Sequence, residues 1–235
     1  WLAHSYSFGQ NDFRACGTDE MVREAKKAYP GYSENLRQLE EFTREFIRNN
    51  PAQRTSGTVQ YVIPVVFHVI HNYGPENISK AQIVDAVDIF NKSFQKLYAD
   101  SVLVASAFRP IIADCEIEFR LAQIDPNGNC TDGITRTVSS LTYTAGDNVK
   151  ALIDWPYSKY FNIWVVNNIA SGAAGYAYYP GIVGNIDGVV IRHDYTGSIG
   201  TSNGSNYAAR SLVHEAGHWL NLAHTWGSTN NPGLP

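Results

Sequence analysis

Near its carboxy end the chain reads His214-Glu215-Ala216-Gly217-His218-Trp219-Leu220-Asn221-Leu222-Ala223-His224. No other stretch restricts the fold as strongly, because three imidazoles at this spacing share a purpose only if the backbone brings them to one point. Residues four apart lie on one helix face, so His214 and His218 point the same way. His224 lies six residues beyond His218, and an unbroken helix would carry it to the wrong side. The helix must therefore stop in between. A left-handed stop takes Gly or, failing that, Asn, which makes Asn221 the expected pivot. Glu215 adjoins the first imidazole and can reach a metal-bound water without binding the metal itself.

The plainer reading is an amphipathic terminal helix carrying core or surface histidines, with Leu212, Val213, Leu220 and Leu222 as its apolar packing. Histidines that interrupt such a face need polar partners, and one metal ion would satisfy all three. Glu215 in isolation would read as a solvated helix charge. Beside a candidate zinc ligand it reads as a base.

The stretch resembles the metzincin zinc peptidase signature, with Asn221 in the slot the signature gives to glycine. The flanks Arg210-Ser211-Leu212-Val213 and Thr225-Trp226-Gly227 are most similar to the pappalysin branch of that family. The resemblance implies a zinc-dependent endopeptidase in which His214, His218 and His224 hold the ion. Three imidazoles leave a fourth position for water, whose pKa zinc lowers to about 7. Glu215 would take the proton and pass it to the leaving amine. The alternative is a zinc-stabilised module that binds peptides without turnover. Glu215 argues against it, since a structural site needs no base.

Arg14-Ala15-Cys16-Gly17-Thr18 resembles the Cys-Gly-Thr element of pappalysin-type zymogens. It implies that Cys16 occupies the metal in a latent form, and that Gly17 lets the backbone pass close to the helix. Residues 1–55 are accordingly read as a helical pro-segment with a cysteine switch, and 56–235 as the catalytic domain. An activating protease would cut between them, at Arg54-Thr55, in a polar stretch broken by Pro51 and Gly57. The other reading of Cys16 is a free thiol in a flexible tail. The family also carries a C-terminal subdomain with a methionine-containing turn. The single methionine here is Met21, so residues 56–235 are taken as the upper subdomain alone, and neither cleavage specificity nor calcium sites can be assigned.

The fold class expected is α/β: a twisted, mixed five-stranded sheet with a backing helix and an active-site helix. Helices are expected over Asp19 to Ala28 and Ser33 to Asn49, the latter with Leu36, Leu39, Phe42, Phe46 and Ile47 at helical spacing. Val59 to His71 is a β-rich run in which Pro64 calls for an unpaired side. Ser79 and Gln82 form a capping box for the backing helix, whose apolar face is Ile83, Val87, Phe90 and Phe94. Strands are expected over Glu116 to Gln123, Tyr160 to Asn167 (apolar on both faces, hence central), Gly175 to Tyr179 and Gly188 to Arg192. The metal helix is expected from Tyr207 to Leu220. In the family an antiparallel edge strand borders the cleft, and Gly175, Tyr176, Ala177 and Tyr178 are its candidates here. An exposed edge can accept a peptide as an added strand.

A net charge of −4 over 235 residues argues against a nucleic-acid partner. No stretch has the apolar length of a membrane span. Abundant Tyr, Asn, Ser and Gly with little Lys suit a secreted protein acting on protein or peptide substrates. The cysteines number three, an odd count. Cys115 and Cys130 could form a disulfide, or remain two free buried thiols. His68, His71 and His193 read as structural, and His4 as part of a disordered terminus. Asp125-Pro126-Asn127-Gly128-Asn129 offers oxygen ligands of the kind calcium takes, but a turn explains it equally well.

Overall fold

A computed structural model describes residues 15–50, 61–182, 184–225 and 227. Arg54, Thr55, His4, Arg14 and Trp226 lie outside these. The elements in chain order are α1 (Thr18–Ala28), α2 (Tyr32–Asn49), β1 (Tyr61–His71), α3 (Lys80–Phe94), β2 (Ile117–Leu121), β3 (Ile134–Val138), α4 (Asp147–Lys150), β4 (Phe161–Val166), β5 (Gly175–Ala177), β6 (Val189–Arg192), α5 (Asn206–Ala209) and α6 (Ser211–Trp219), with four short 3-10 turns between them.

The sheet is mixed and has six strands rather than five, in the order β2-β1-β4-β6-β5, with β3 also paired to β1. β1 is long enough to hold two parallel neighbours in succession on one edge: Tyr61 to Val65 pair β2, and Phe67 to His71 pair β3. On its other side the ladder with β4 begins at Val65. The N–H groups of Tyr61 and Phe67 both bond toward β2 and β3. Residue 64, of opposite parity, therefore faces the β4 side before that ladder starts, and the N–H that Pro64 lacks is not missed.

β4 is buried along its whole length, as its apolar run requires of a central parallel strand. Alternation along the strands splits the core. Val65, Phe67, Val69, Ile163, Val165, Val189 and Ile191 face Ile83, Ala86 and Phe90 of α3 and Leu212 and Ala216 of α6. Trp164, Val166, Tyr176, Tyr178 and Val190 face the other way, where Val22, Ala25 and Tyr32 of α1 and α2 close over them. β5 is the antiparallel edge expected from the resemblance. α1 and α2 thus lie against the strand that borders the metal helix.

Two local expectations need correction. The capping box is half formed. Ser79 Oγ accepts the Gln82 N–H at 3.1 Å. The Gln82 amide turns instead to the 193–201 loop, donating to His193 O and Thr196 O and accepting the Thr201 N–H. The segment 206–219 is two helices broken at Arg210, not one. Arg210 lies 3.9 Å over the Tyr98 ring and pairs with Asp100. The helix expected over Ser33 to Asn49 is present as α2, with Leu36 packed on the core and Phe42, Phe46 and Ile47 exposed.

Candidate metal centre

α6 delivers His214, Glu215 and His218, then stops as its sequence requires. Asn221 takes φ 70°. Asn221 N–H bonds His218 O, and Leu222 N–H bonds Gly217 O, both at 2.9 Å, which is the pair of bonds that closes a left-handed helix stop. The reversal carries His224 back. The three Nε2 atoms converge at 3.0 Å (His214–His218), 3.1 Å (His214–His224) and 3.1 Å (His218–His224).

The outer nitrogens fix what those inner atoms are. His218 Nδ1 lies 2.7 Å from Leu222 O, and His224 Nδ1 lies 3.0 Å from Asp19 Oδ2. Both acceptors call for a proton on Nδ1, which in a neutral ring leaves Nε2 a bare lone pair, and the two Nε2 atoms are aimed at one another. The two bare Nε2 atoms, 3.1 Å apart, repel unless a proton or a cation lies between them. Tetrahedral nitrogens about 2.0–2.1 Å from zinc stand roughly 3.4 Å apart, close to the separations here. The residues therefore fit a zinc ion. Burial and the two neighbouring imidazoles hold His214 down to about 4, and burial lowers His218 as well, so both rings are neutral and ligand-ready at physiological pH.

Cys16 joins the cluster from the amino-terminal segment. Its Sγ lies 3.5 Å from His218 Nε2 and 3.5 Å from Glu215 Oε2, and the ligand atoms of Cys16, His214, His218 and His224 all fall within 4.8 Å of one another. Burial, with Glu215 adding, pushes the Cys16 thiol up. Only a cation at the cluster would reverse that and make it a thiolate. Gly17 is needed for the close approach: a Cβ there would stand 3.0 Å from Ala173 Cβ and 3.3 Å from Gly175 O.

Glu215 is fully buried, and burial raises its carboxyl to about 7. Thr18 Oγ1 donates to Glu215 Oε2 at 3.0 Å and accepts the Ala177 N–H at 2.9 Å. Gly175 makes room for Glu215, since a Cβ there would meet Glu215 Cγ at 3.1 Å. The edge of β5 is taken by the segment, which runs parallel to it: Gly17 N–H bonds Gly175 O at 2.9 Å, and Ala174 N–H bonds Ala15 O at 3.1 Å. Tyr176 and Tyr178 point away from the cluster, and both hydroxyls donate to Asp147.

Cys115 and Cys130 are not joined, and neither is buried as free thiols were expected to be; both are free and exposed. Cys130 closes the turn against Ile124, while Cys115 is pinned by its N–H to Phe94 O and opens into the cleft beneath α6, beside His214. The Asp125 carboxylate is used by its own turn, accepting the N–H groups of Asn127 and Asn129. His68 and His193 hydrogen-bond Thr135 and Thr201, and His71 accepts the Tyr73 N–H.

Sequence reasoning missed Thr18 as a partner of the base and Asp19 as a partner of His224. It also missed Trp219 Nε1, which donates to Asp187 at 3.1 Å, and Tyr179, whose ring stands edge-on to His218. Thr18 was visible as the last residue of the Cys-Gly-Thr element. Asp19 carried no signal beyond opening a helix.

The M43 peptidase family model, described as Pregnancy-associated plasma protein-A, matches residues 143–233. Promirolysin of Tannerella forsythia, solved as a glutamate-to-alanine mutant, is 33% identical, with 92% of this chain and 71% of that chain covered at a TM-score of 0.75. Mature mirolysin of Tannerella forsythia in complex with a cleaved peptide is 36% identical, with 77% of this chain and 73% of that chain covered at a TM-score of 0.67. Mirolysin in complex with compound 9 is 38% identical, with 74% and 66% covered at a TM-score of 0.66. No curated protein matches the chain at significant similarity. With the fold, the histidine cluster and these likenesses in agreement, the chain belongs to the pappalysin family of metzincin peptidases and is a zinc metalloendopeptidase.

Proposed function

We propose that the chain is the latent form of a secreted endopeptidase, with His214, His218 and His224 as zinc ligands, Glu215 as general base and Cys16 as the blocking fourth ligand. The observation that carries this is the convergence of three Nε2 atoms and one Sγ within 4.8 Å, two of those nitrogens bare by virtue of their outer partners. Zinc held there supplies a Lewis acid and a water of lowered pKa.

The chain's own residues supply the rest. Glu215 lies against the cluster and can take a proton and return it to a leaving amine. Its buried carboxyl near 7 would be drawn lower by a cation beside it, which keeps it a base at neutral pH. Gly175 O and Ala177 N–H are the backbone groups that an added peptide strand would use. Here Gly17 and Thr18 use them, so the segment covers the substrate site as well as the metal. The relative that holds a cleaved peptide supports protein or peptide substrates. We place the boundary of the pro-segment near residue 55, with release by an activating protease at Arg54-Thr55.

The experiment is limited trypsin digestion of the zinc-loaded chain, followed by assay on an unrelated protein. Activity that appears on cutting, disappears with chelator and is absent in Glu215→Ala is expected. Hydrolysis that survives either the chelator or Glu215→Ala would overturn the assignment.

A further inference from the structure

Resting on the reading of Glu215 as the base, we propose that Thr18 is a second lock, which acts on the base and the substrate edge independently of Cys16 on the metal. The Thr18 hydroxyl is fully buried and bridges two groups that the reaction needs free. It donates to Glu215 Oε2 at 3.0 Å and accepts from Ala177 N–H at 2.9 Å. A hydroxyl is the one small group that can do both at once, since it carries one proton and two lone pairs.

With a metal held by the imidazoles, Cys16 Sγ would fill the ligand position that a water's oxygen needs, while Thr18 Oγ1 already makes the donation to Glu215 that such a water's proton would make. Thr18 also fills the N–H that a bound peptide's carbonyl would take on β5. No metal is needed for either Thr18 contact, so removing the sulfur leaves them in place. Thr18 starts α1, and Val22 and Ala25 of that helix are buried against the sheet. Thr18 N–H also donates to Cys16 Sγ at 3.4 Å, but the packing of the helix aims the hydroxyl without that bond.

The test compares Cys16→Ser, Thr18→Val, Thr18→Ser and Cys16→Ser/Thr18→Val in the full-length chain. The first readout is hydrogen exchange of the Ala177 amide, with the Val190 amide in the neighbouring strand as a control for folding. Ala177 should exchange about tenfold faster or more in Thr18→Val, the scale of one lost buried bond. It should stay protected in Cys16→Ser and in Thr18→Ser, which keeps the hydroxyl. The second readout is the time to chelator-sensitive peptidase activity. Cys16→Ser should retain a lag that the double variant loses by about tenfold or more.

An Ala177 amide indifferent to Thr18→Val, or a double variant no faster than Cys16→Ser, would overturn the proposal. Absence of chelator-sensitive hydrolysis in every variant would instead sink the enzyme reading, while the exchange readout still decides the Thr18 contact.

Discussion

The sharpest perturbation is at Asn221. Its φ of 70° is a conformation in which a side chain with Cβ costs about 1–2 kcal/mol, with Asn among the few residues that tolerate it. Asn221→Gly removes the Cβ and should change metal affinity by no more than a few tenths of a kcal/mol. Asn221→Ala should cost about 1 kcal/mol, which is roughly fivefold in affinity. Asn221→Val, β-branched at positive φ, should cost more than about 2 kcal/mol, or some thirtyfold.

The cost divides between two observables. If the reversal forms without zinc, held by the bonds from Asn221 to His218 O and from Leu222 to Gly217 O, the strain lowers thermal stability in the chelated protein. If the turn frays without zinc, the strain is met on binding and appears as weaker affinity. His218 couples the two, because its Nδ1–H donates to Leu222 O within the same turn. The assay is therefore paired: zinc affinity by chelator competition, and melting with and without zinc, both in a Glu215→Ala background that cannot digest itself. The order Gly, Ala, Val should hold in the summed cost. An Asn221→Val protein that binds zinc and melts like its parent would show that the backbone reversal is not what places His224.

His68 predicts a pH effect. Burial holds it down to about 4, against an ordinary value of 6.5, so the folded protein refuses a proton that the unfolded chain accepts. Stability is complete above pH 6.5 and is lost as pH falls toward 4, by about 3 kcal/mol in total. The difference between wild type and His68→Gln in denaturant melts over that window should show it, and parallel curves would contradict it. Lys150 is fully buried, pairs with Asp147 at 3.1 Å, donates to Ile186 O at 2.6 Å and faces the rings of Trp164, Tyr176 and Tyr178. Lys150→Ala should destabilise by about 2–4 kcal/mol by opening a cavity among those rings and leaving Ile186 O without its donor; a melt within 1 °C of wild type, against the several degrees such a loss implies, would show that the side chain is dispensable.

What could be read beforehand followed the range of the interaction. The stop at Asn221 and the central place of β4 depend on local conformation and on apolar patterning, and both are written along the chain, whereas the edge place of β5 came from the family resemblance. β3 was missed because Ile134 to Val138 is short and mostly polar. It is a strand only because β1 outlasts β2 and offers it a vacant ladder over Phe67 to His71. The spacing of Leu39, Phe42 and Phe46 gave a helix face correctly but could not say that Phe42 and Phe46 stay exposed among the described residues. Lys150 was passed over because a lysine is ordinarily outside, and only its aromatic surroundings and Asp147 make an interior place tolerable. Thr18 and Asp19 meet partners about two hundred residues away, at a distance no motif spans.

If the amino-terminal segment is cut away as proposed above, the grip of Asp19 on His224 sets an order of events. While the helical segment is in place, that ring is steadied from behind and a sulfur stands ready opposite, so the uncut protein is the better vessel for capturing its ion. Once the segment departs, the same ring turns its outer nitrogen to solvent and is freer to swing. Filling should come first and cutting second, and a molecule trimmed before it is filled would have to gather its ion with an unsteadied hand.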